Sequence, residues 1–186
     1  MVMWIIIASS AIFIIWIIAA YNGLISLRNQ TLNGWKQIDV QLKRRHDLIP
    51  NLVETVKGAM KFEQTTLTKV IETRNRAMAA QGVANKAAEE NALTGALRQL
   101  FALAENYPAL KSNENVAKLQ EELSSTENRI GFARQFYNDI ATQFNIAEQV
   151  FPTNMIAGSF GFKPAELFEI TDSSERELPK VDLNIQ

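Results

Sequence analysis

The chain has 186 residues, with 19 Lys and Arg against 20 Asp and Glu, and its net charge of −1 offers no broad electrostatic pull toward nucleic acid. It has no cysteine, which excludes disulfides, thiolate metal ligands, cysteine nucleophiles and a lipid-modified cysteine. Aromatic residues, glycine and proline are sparse, and no stretch alternates apolar and polar until the last residues, so the composition is that of an all-α protein.

No charged side chain occurs from Met1 to Leu27, and Val2 to Tyr21 is almost wholly apolar. A helix rises about 1.5 Å per residue, so roughly 20 such residues cross a bilayer core. Trp4, Ile5, Phe13, Trp16 and Tyr21 mark this anchor, with Trp4 and Tyr21 at the interfacial positions. A cleaved signal peptide is the competing reading, for which Ala19-Ala20 imitates a cleavage site. Against it, Met1-Val2-Met3 lacks the positive n-region and the apolar run is too long. Arg28 and Lys36 follow the span before the first acid, Asp39, so the positive-inside rule puts Met1 outside and the bulk of the chain in the cytoplasm.

Residues 1–23 are thus expected as a transmembrane anchor that continues into a bundle over 24–151. The first bundle helix, Leu24–Leu48, carries Leu24, Thr31, Trp35, Ile38, Leu42 and Ile49 on one stripe. At its far end lies a charged run, Lys43 followed by Arg44, Arg45, His46 and Asp47. Along a straight helix Lys43 stands about 33 Å from Tyr21, beyond the reach of the membrane surface potential. The run is therefore read as a distal turn, either solvated and paired with acids such as Asp47, Glu54, Glu105 or Glu127, or presented to a partner. His46 is expected at that helix junction as a hydrogen-bonded turn residue, with pH sensing as the alternative role.

Pro50 is expected to separate this helix from a second, Asn51–Ala80, and to occupy its first turn. Leu52, Val56, Ala59, Glu63, Leu67, Val70, Arg74 and Ala77 form its inner stripe, where Glu63 and Arg74 are read as paired charges that fix register. Gly82 stops this helix in the loop 81–85. A third helix runs from about Lys86 to Tyr107 and ends before Pro108, with Leu93, Leu97, Leu100 and Ala104 inward. Ser112 or Asn113 caps the fourth, which stops before Pro152.

The fourth helix has the cleanest pattern: Val116, Leu119, Leu123, Thr126, Ile130, Ala133, Tyr137, Ile140, Phe144, Ala147 and Phe151 make an a/d seam. Glu127 and Arg134 flank that seam, while Phe132 and Phe136 lie off it and are read as a subunit contact or as the edge of a wide core. Four such helices joined by short turns make an up-and-down bundle rather than one extended coiled coil, because Pro50, Gly82 and Pro108 interrupt the chain. In that topology the Gly82 loop and the end of the fourth helix both fall near the bilayer. There Met155, Ile156, Phe160 and Phe162 are poor residues for a wet loop. They either rest on the membrane or a neighbouring subunit, or fold back to cap the core. Residues 152–186 close the chain as this aromatic segment and a tail, Leu178–Ile185, which alternates at period two and is read as a strand for another chain or a disordered end.

Gly34 to Gly58, reading GWKQIDVQLKRRHDLIPNLVETVKG, closely resembles the signature of the LemA family. Leu103–Lys111, Leu119–Leu123, Thr126–Ile130, Ala133-Arg134, Tyr137-Asn138, Phe151–Asn154, Gly161-Phe162 and the tail Leu178–Leu183 also fit it. The departure is Met60-Lys61-Phe62-Glu63, where relatives usually carry His-Glu. The resemblance implies a bacterial-type, single-span membrane protein with a helical-bundle domain and no established enzymatic activity. Some members act in magnetosome membrane formation, and many are encoded near membrane proteases or other envelope proteins.

The residues themselves agree that no enzyme is expected. His46 is the only histidine, and Lys43 stands where a bundle di-iron site needs glutamate. No phosphate-cradling glycine loop appears. No catalytic residue, metal, cofactor or small-molecule substrate is therefore assigned. Two function classes stay open. One is a homo-oligomeric scaffold that organises or remodels the bacterial inner membrane. The other is an adaptor or sensor that presents the Lys43–Pro50 turn to a membrane protease or other envelope protein.

Overall fold

The computed structural model describes residues 1–58, 60 and 63–169. Six helices occur among them: α1 Val2–Lys57, α2 Gln64–Ala79, α3 Val83–Ala104, α4 Pro108–Lys111, α5 Glu114–Gln149 and α6 Thr153–Ser159. The protein is all-α, and its membrane helix runs without a break into the bundle. The tail strand expected over 178–185 lies outside the described residues.

The first correction concerns Pro50, which does not end α1. Proline lacks the N–H that would bond the carbonyl four residues back, here that of His46. Arg74 of α2 supplies the missing donor: its Nε donates to the His46 carbonyl oxygen at 2.7 Å. With that acceptor satisfied, α1 continues for another two turns, and α2 begins only at Gln64. Arg74 therefore does not pair with Glu63, which instead accepts from the Tyr107 hydroxyl at 3.1 Å. Burial and then this hydrogen bond raise the Tyr107 pKa above its ordinary value.

The other boundaries follow local chemistry. Asn113 caps α5, its side-chain oxygen accepting from the N–H groups of Asn115 and Val116. Gly82 starts α3 with φ of 79°, a conformation that favours glycine. Pro108 opens the short α4, which the sequence reading did not separate.

α1 packs mainly on α5, and α2 on α3. The core forms three tiers. Farthest from the membrane, Ile49, Leu52 and Val56 meet Leu67, Val70, Leu93, Leu100 and Leu123. In the middle, Ile38 and Leu42 meet Ala87, Ile130, Tyr137, Ala141 and Phe168. Nearest the span, Leu24 meets Phe144, Ile156 and Ala157.

Helix lengths explain this stacking. α2 has 16 residues and α3 has 22, so they flank only the outer part of the 56-residue α1. Val83, beside Gly82, packs into the middle tier near Ile38. That level is about 26 Å along α1 from Tyr21. The Gly82 loop is thus halfway up the bundle and not at the bilayer. Below it, an extended strap over residues 162–169 takes the place of α2 and α3 against the α1–α5 pair.

The two long helices pack tightly at Gly34. A Cβ built there would lie 3.3 Å from the Tyr137 Cα. Gly34→Ala should be nearly neutral, since a helix-propensity gain of up to about 1 kcal/mol offsets the tight contact. Gly34→Leu should cost roughly 1–3 kcal/mol by overpacking and lower the melting temperature by several degrees in circular dichroism. Equal melting of Gly34→Leu and wild type would show that the helices do not meet there.

Candidate functional site

The membrane end is built by α6 and the turn that follows it. Ile156 and Ala157 face inward onto Leu24 and Phe144, beside Trp16, Ile17, Ala20 and Tyr21 of α1. α6 stops in a Schellman turn: the Phe162 N–H donates to the Ala157 carbonyl at 3.0 Å and the Gly161 N–H to Gly158 at 3.3 Å, with Gly161 at φ 69°. The turn sets Phe160 and Phe162 against Tyr21, with ring centroids 4.8 and 5.9 Å away. The Arg28 guanidinium sits 5.6 Å from the Phe162 centroid.

The two readings of this segment divide by residue. Ile156 is buried and Phe162 half-buried, so these two cap the core. Met155 and Phe160 point outward and are 65% and 60% exposed, and Phe151 is 80% exposed. Phe151 is thus no part of the α5 seam. No charged residue occurs from Gln149 to Phe162, so an uncharged ridge lies at the level where the apolar half of α1 ends. In that half, Trp4, Ile5 and Phe13 are exposed, whereas α6 partly covers Trp16 and Tyr21.

The strap is held by two asparagines one heptad apart. Asn145 Nδ2 donates to the Ala165 carbonyl at 2.9 Å, and its Oδ1 accepts from the Ala165 N–H at 2.7 Å. Asn138 holds Phe168 in the same way, at 3.1 and 2.8 Å. Each amide thus replaces one rung of a β-ladder. The Tyr137 hydroxyl donates to the Glu166 carbonyl at 2.6 Å. Its pKa is raised, first by burial and then by the Glu166 charge. Phe168 closes the strap over Trp35, with centroids 6.1 Å apart.

A second polar cluster lies within the bundle. The expected turn of Arg44, Arg45, His46 and Asp47 does not exist, because α1 runs through it. Arg44 and Asp47 are exposed, and Asp47 pairs with Lys43 at 3.0 Å. Arg45 and His46 turn inward and are buried. Arg45 Nη1 lies 2.9 Å from Glu127 and 3.6 Å from Glu90, and Nη2 donates to Thr94 at 2.7 Å. His46 Nε2 lies 2.6 Å from Glu90 Oε1; an ionised carboxylate only accepts, so Nε2 is assigned as the donor. Of the acids expected to pair with this run, Asp47 and Glu127 do so, whereas Glu54 lies 3.9 Å from Lys57. Arg134 forms no ion pair among the described residues.

Phe132 and Phe136 are 73% and 45% exposed. They line a shallow groove with Val40 on the side of α1 and α5 opposite the strap. They are not taken up by a wide core.

A model of the LemA family matches residues 34–183. The chain belongs to the LemA family. It is 26% identical to magnetosome protein MamQ 2 of Paramagnetospirillum magneticum, over 84% of this chain and 67% of that one. It is also 26% identical to protein LemA of Metamycoplasma hominis, over 88% of this chain and 73% of that one. MamQ of Magnetospirillum gryphiswaldense is 23% identical, over 84% and 67%.

The LemA match begins at Gly34, where α1 packs tightly on α5, and takes in the buried cluster and both strap asparagines. In this LemA-family chain the sequence reading missed Glu90, Thr94 and Asn145. Glu90 had a signal: it lies three and seven residues before Leu93 and Leu97, on an otherwise apolar stripe. Asn145 had a weaker one, its heptad spacing from Asn138. Among the described residues, α1 is the one helix long and apolar enough to cross a membrane.

Proposed function

We propose that this LemA-family protein self-associates in a bacterial cytoplasmic membrane and shapes or organises it from one side, without catalysis. The observation that carries this reading is the uncharged ridge of Phe151, Met155 and Phe160, packed beside the last turns of the span. α6 adds apolar bulk to one leaflet only, since the rest of the apolar half of α1 stands alone. Fully burying a large apolar side chain is worth about 1.5–3 kcal/mol, enough for three of them to hold α6 in the interface. The bare face at Val40, Phe132 and Phe136 supplies a surface for a second copy. The names of the magnetosome relatives support a role at a membrane, and Arg28 and Lys36 beside the span favour a cytoplasmic bundle.

The adaptor reading relied on a Lys43–Pro50 turn, and that stretch is continuous helix. The test is the mass of the full-length protein in nanodiscs by light scattering, with imaging of reconstituted vesicles. Wild type should form a multi-copy assembly that deforms vesicles. Phe151→Asp, Met155→Asp and Phe160→Asp together should abolish the deformation while the protein stays anchored and melts within a few degrees of wild type. A monomeric wild type, or deformation unchanged in the triple variant, overturns the proposal.

A further inference from the structure

We propose that the cleft between α3 and α5 is the docking groove for this chain's own acidic segment, residues 170–177. The strap leads into it. Between Ala165 and Phe168 the extended chain advances about 10 Å. The seven residues from Asn145 back to Asn138 rise about 10.5 Å along α5. The strap therefore climbs α5 antiparallel, away from the membrane, in step with its heptads. Phe168 ends in the middle tier against Ala87 of α3. One turn farther along α3, Asn91 opens a cleft of about 400 Å³ whose α5 wall includes Gly131 and Arg134.

The cleft has the shape and charge for a strand of this composition. Gly95 and Gly131 line it, and a Cβ at either would meet nothing within 4 Å, which leaves room for a backbone. Arg98 and Arg134 also line it, and neither forms an ion pair among the described residues. Glu127 on the same wall is already taken by Arg45. The approaching chain carries Glu169, Asp172, Glu175 and Glu177 against the single Arg176. Three further residues in the same register would bring Thr171 level with Gly131, with Arg134 behind it beside Glu169 and Arg98 ahead of it, between Asp172 and Glu175. Seventeen residues, 170–186, follow the described strap, ample to traverse the cleft.

The chain has no cysteine, so engineered disulfides report this contact directly. In full-length protein under mild oxidation, Gly131→Cys with Thr171→Cys should cross-link within one chain. The rate should be at least about tenfold above Phe136→Cys with Thr171→Cys, whose first site lies on the opposite face. Added salt, or Arg98→Glu with Arg134→Glu, should slow it. Asn91→Cys with Thr171→Cys provides a second pair should the glycine variant misfold. Equal rates on the two faces, or indifference to charge reversal, overturn the proposal. A product between chains assigns the groove to a neighbouring copy's tail and overturns the intrachain docking.

Discussion

Arg45→Met should destabilise the bundle by about 3–5 kcal/mol, the usual cost of leaving a buried charge without its partner. Arg45 and Glu90 are both 4% exposed at the side chain, and Arg45 also holds Glu127 and Thr94. Without the guanidinium, Glu90 keeps only His46 as a direct side-chain donor. Helices α1, α3 and α5 then lose the polar contact they share at Arg45. A chain of this size loses about 2–4 °C of melting temperature per kcal/mol, so the drop should be on the order of 10 °C. Arg45→Met with Glu90→Leu should recover much of it, because removing both charges removes the desolvation burden as well. Thermal unfolding of the detergent-solubilised protein by circular dichroism reads both variants. Melting of Arg45→Met within a degree or two of wild type would mean that the guanidinium is solvated rather than buried.

Asn138→Leu with Asn145→Leu should detach the strap while leaving the helices in place. The two asparagines make four hydrogen bonds to strap backbone. At a net 0.5–1.5 kcal/mol each, the loss is about 2–6 kcal/mol, concentrated in residues 162–169. Such a loss is comparable to what the apolar contacts of Phe162 and Phe168 supply, and it falls on the strap alone, so the strap opens locally before the bundle unfolds. The Glu166-Leu167 bond of the strap then becomes open to glutamyl endopeptidase, and the Trp35 environment changes as Phe168 leaves it. Retained resistance at Glu166 would show that apolar packing and the Tyr137 hydrogen bond suffice to hold the strap. Local opening would also remove the lead-in to the α3–α5 cleft, which couples this result to the tail cross-link.

The long periodic parts of the chain were readable because their signals are local. Residues 1–27 hold no charge, and that alone marks the span. The α5 seam and its Asn113 cap are set by residues a few positions apart, as is the Gly82 turn. Three of the corrections share another cause. Pro50 breaks a helix by the local rule, yet the donor that rescues it is Arg74, 28 residues away. The Gly82 loop was placed at the membrane because the second helix was given Asn51–Ala80, and α2, which begins only at Gln64, is too short to return that far. Arg45 and His46 were given a solvated turn because a run of four basic residues is usually wet, but Glu90 and Glu127 draw two of them inward.

Composition and periodicity alone thus determined an anchored helical bundle and its family resemblance, because hydrophobic burial is written into spacing along one helix. Tertiary structure decided the unbroken α1, the inward turn of Arg45 and His46, the division of the aromatic segment into core and ridge, and the strap. Each depends on a donor, acceptor or apolar partner brought from a distant helix, and spacing along the chain does not encode which distant group arrives.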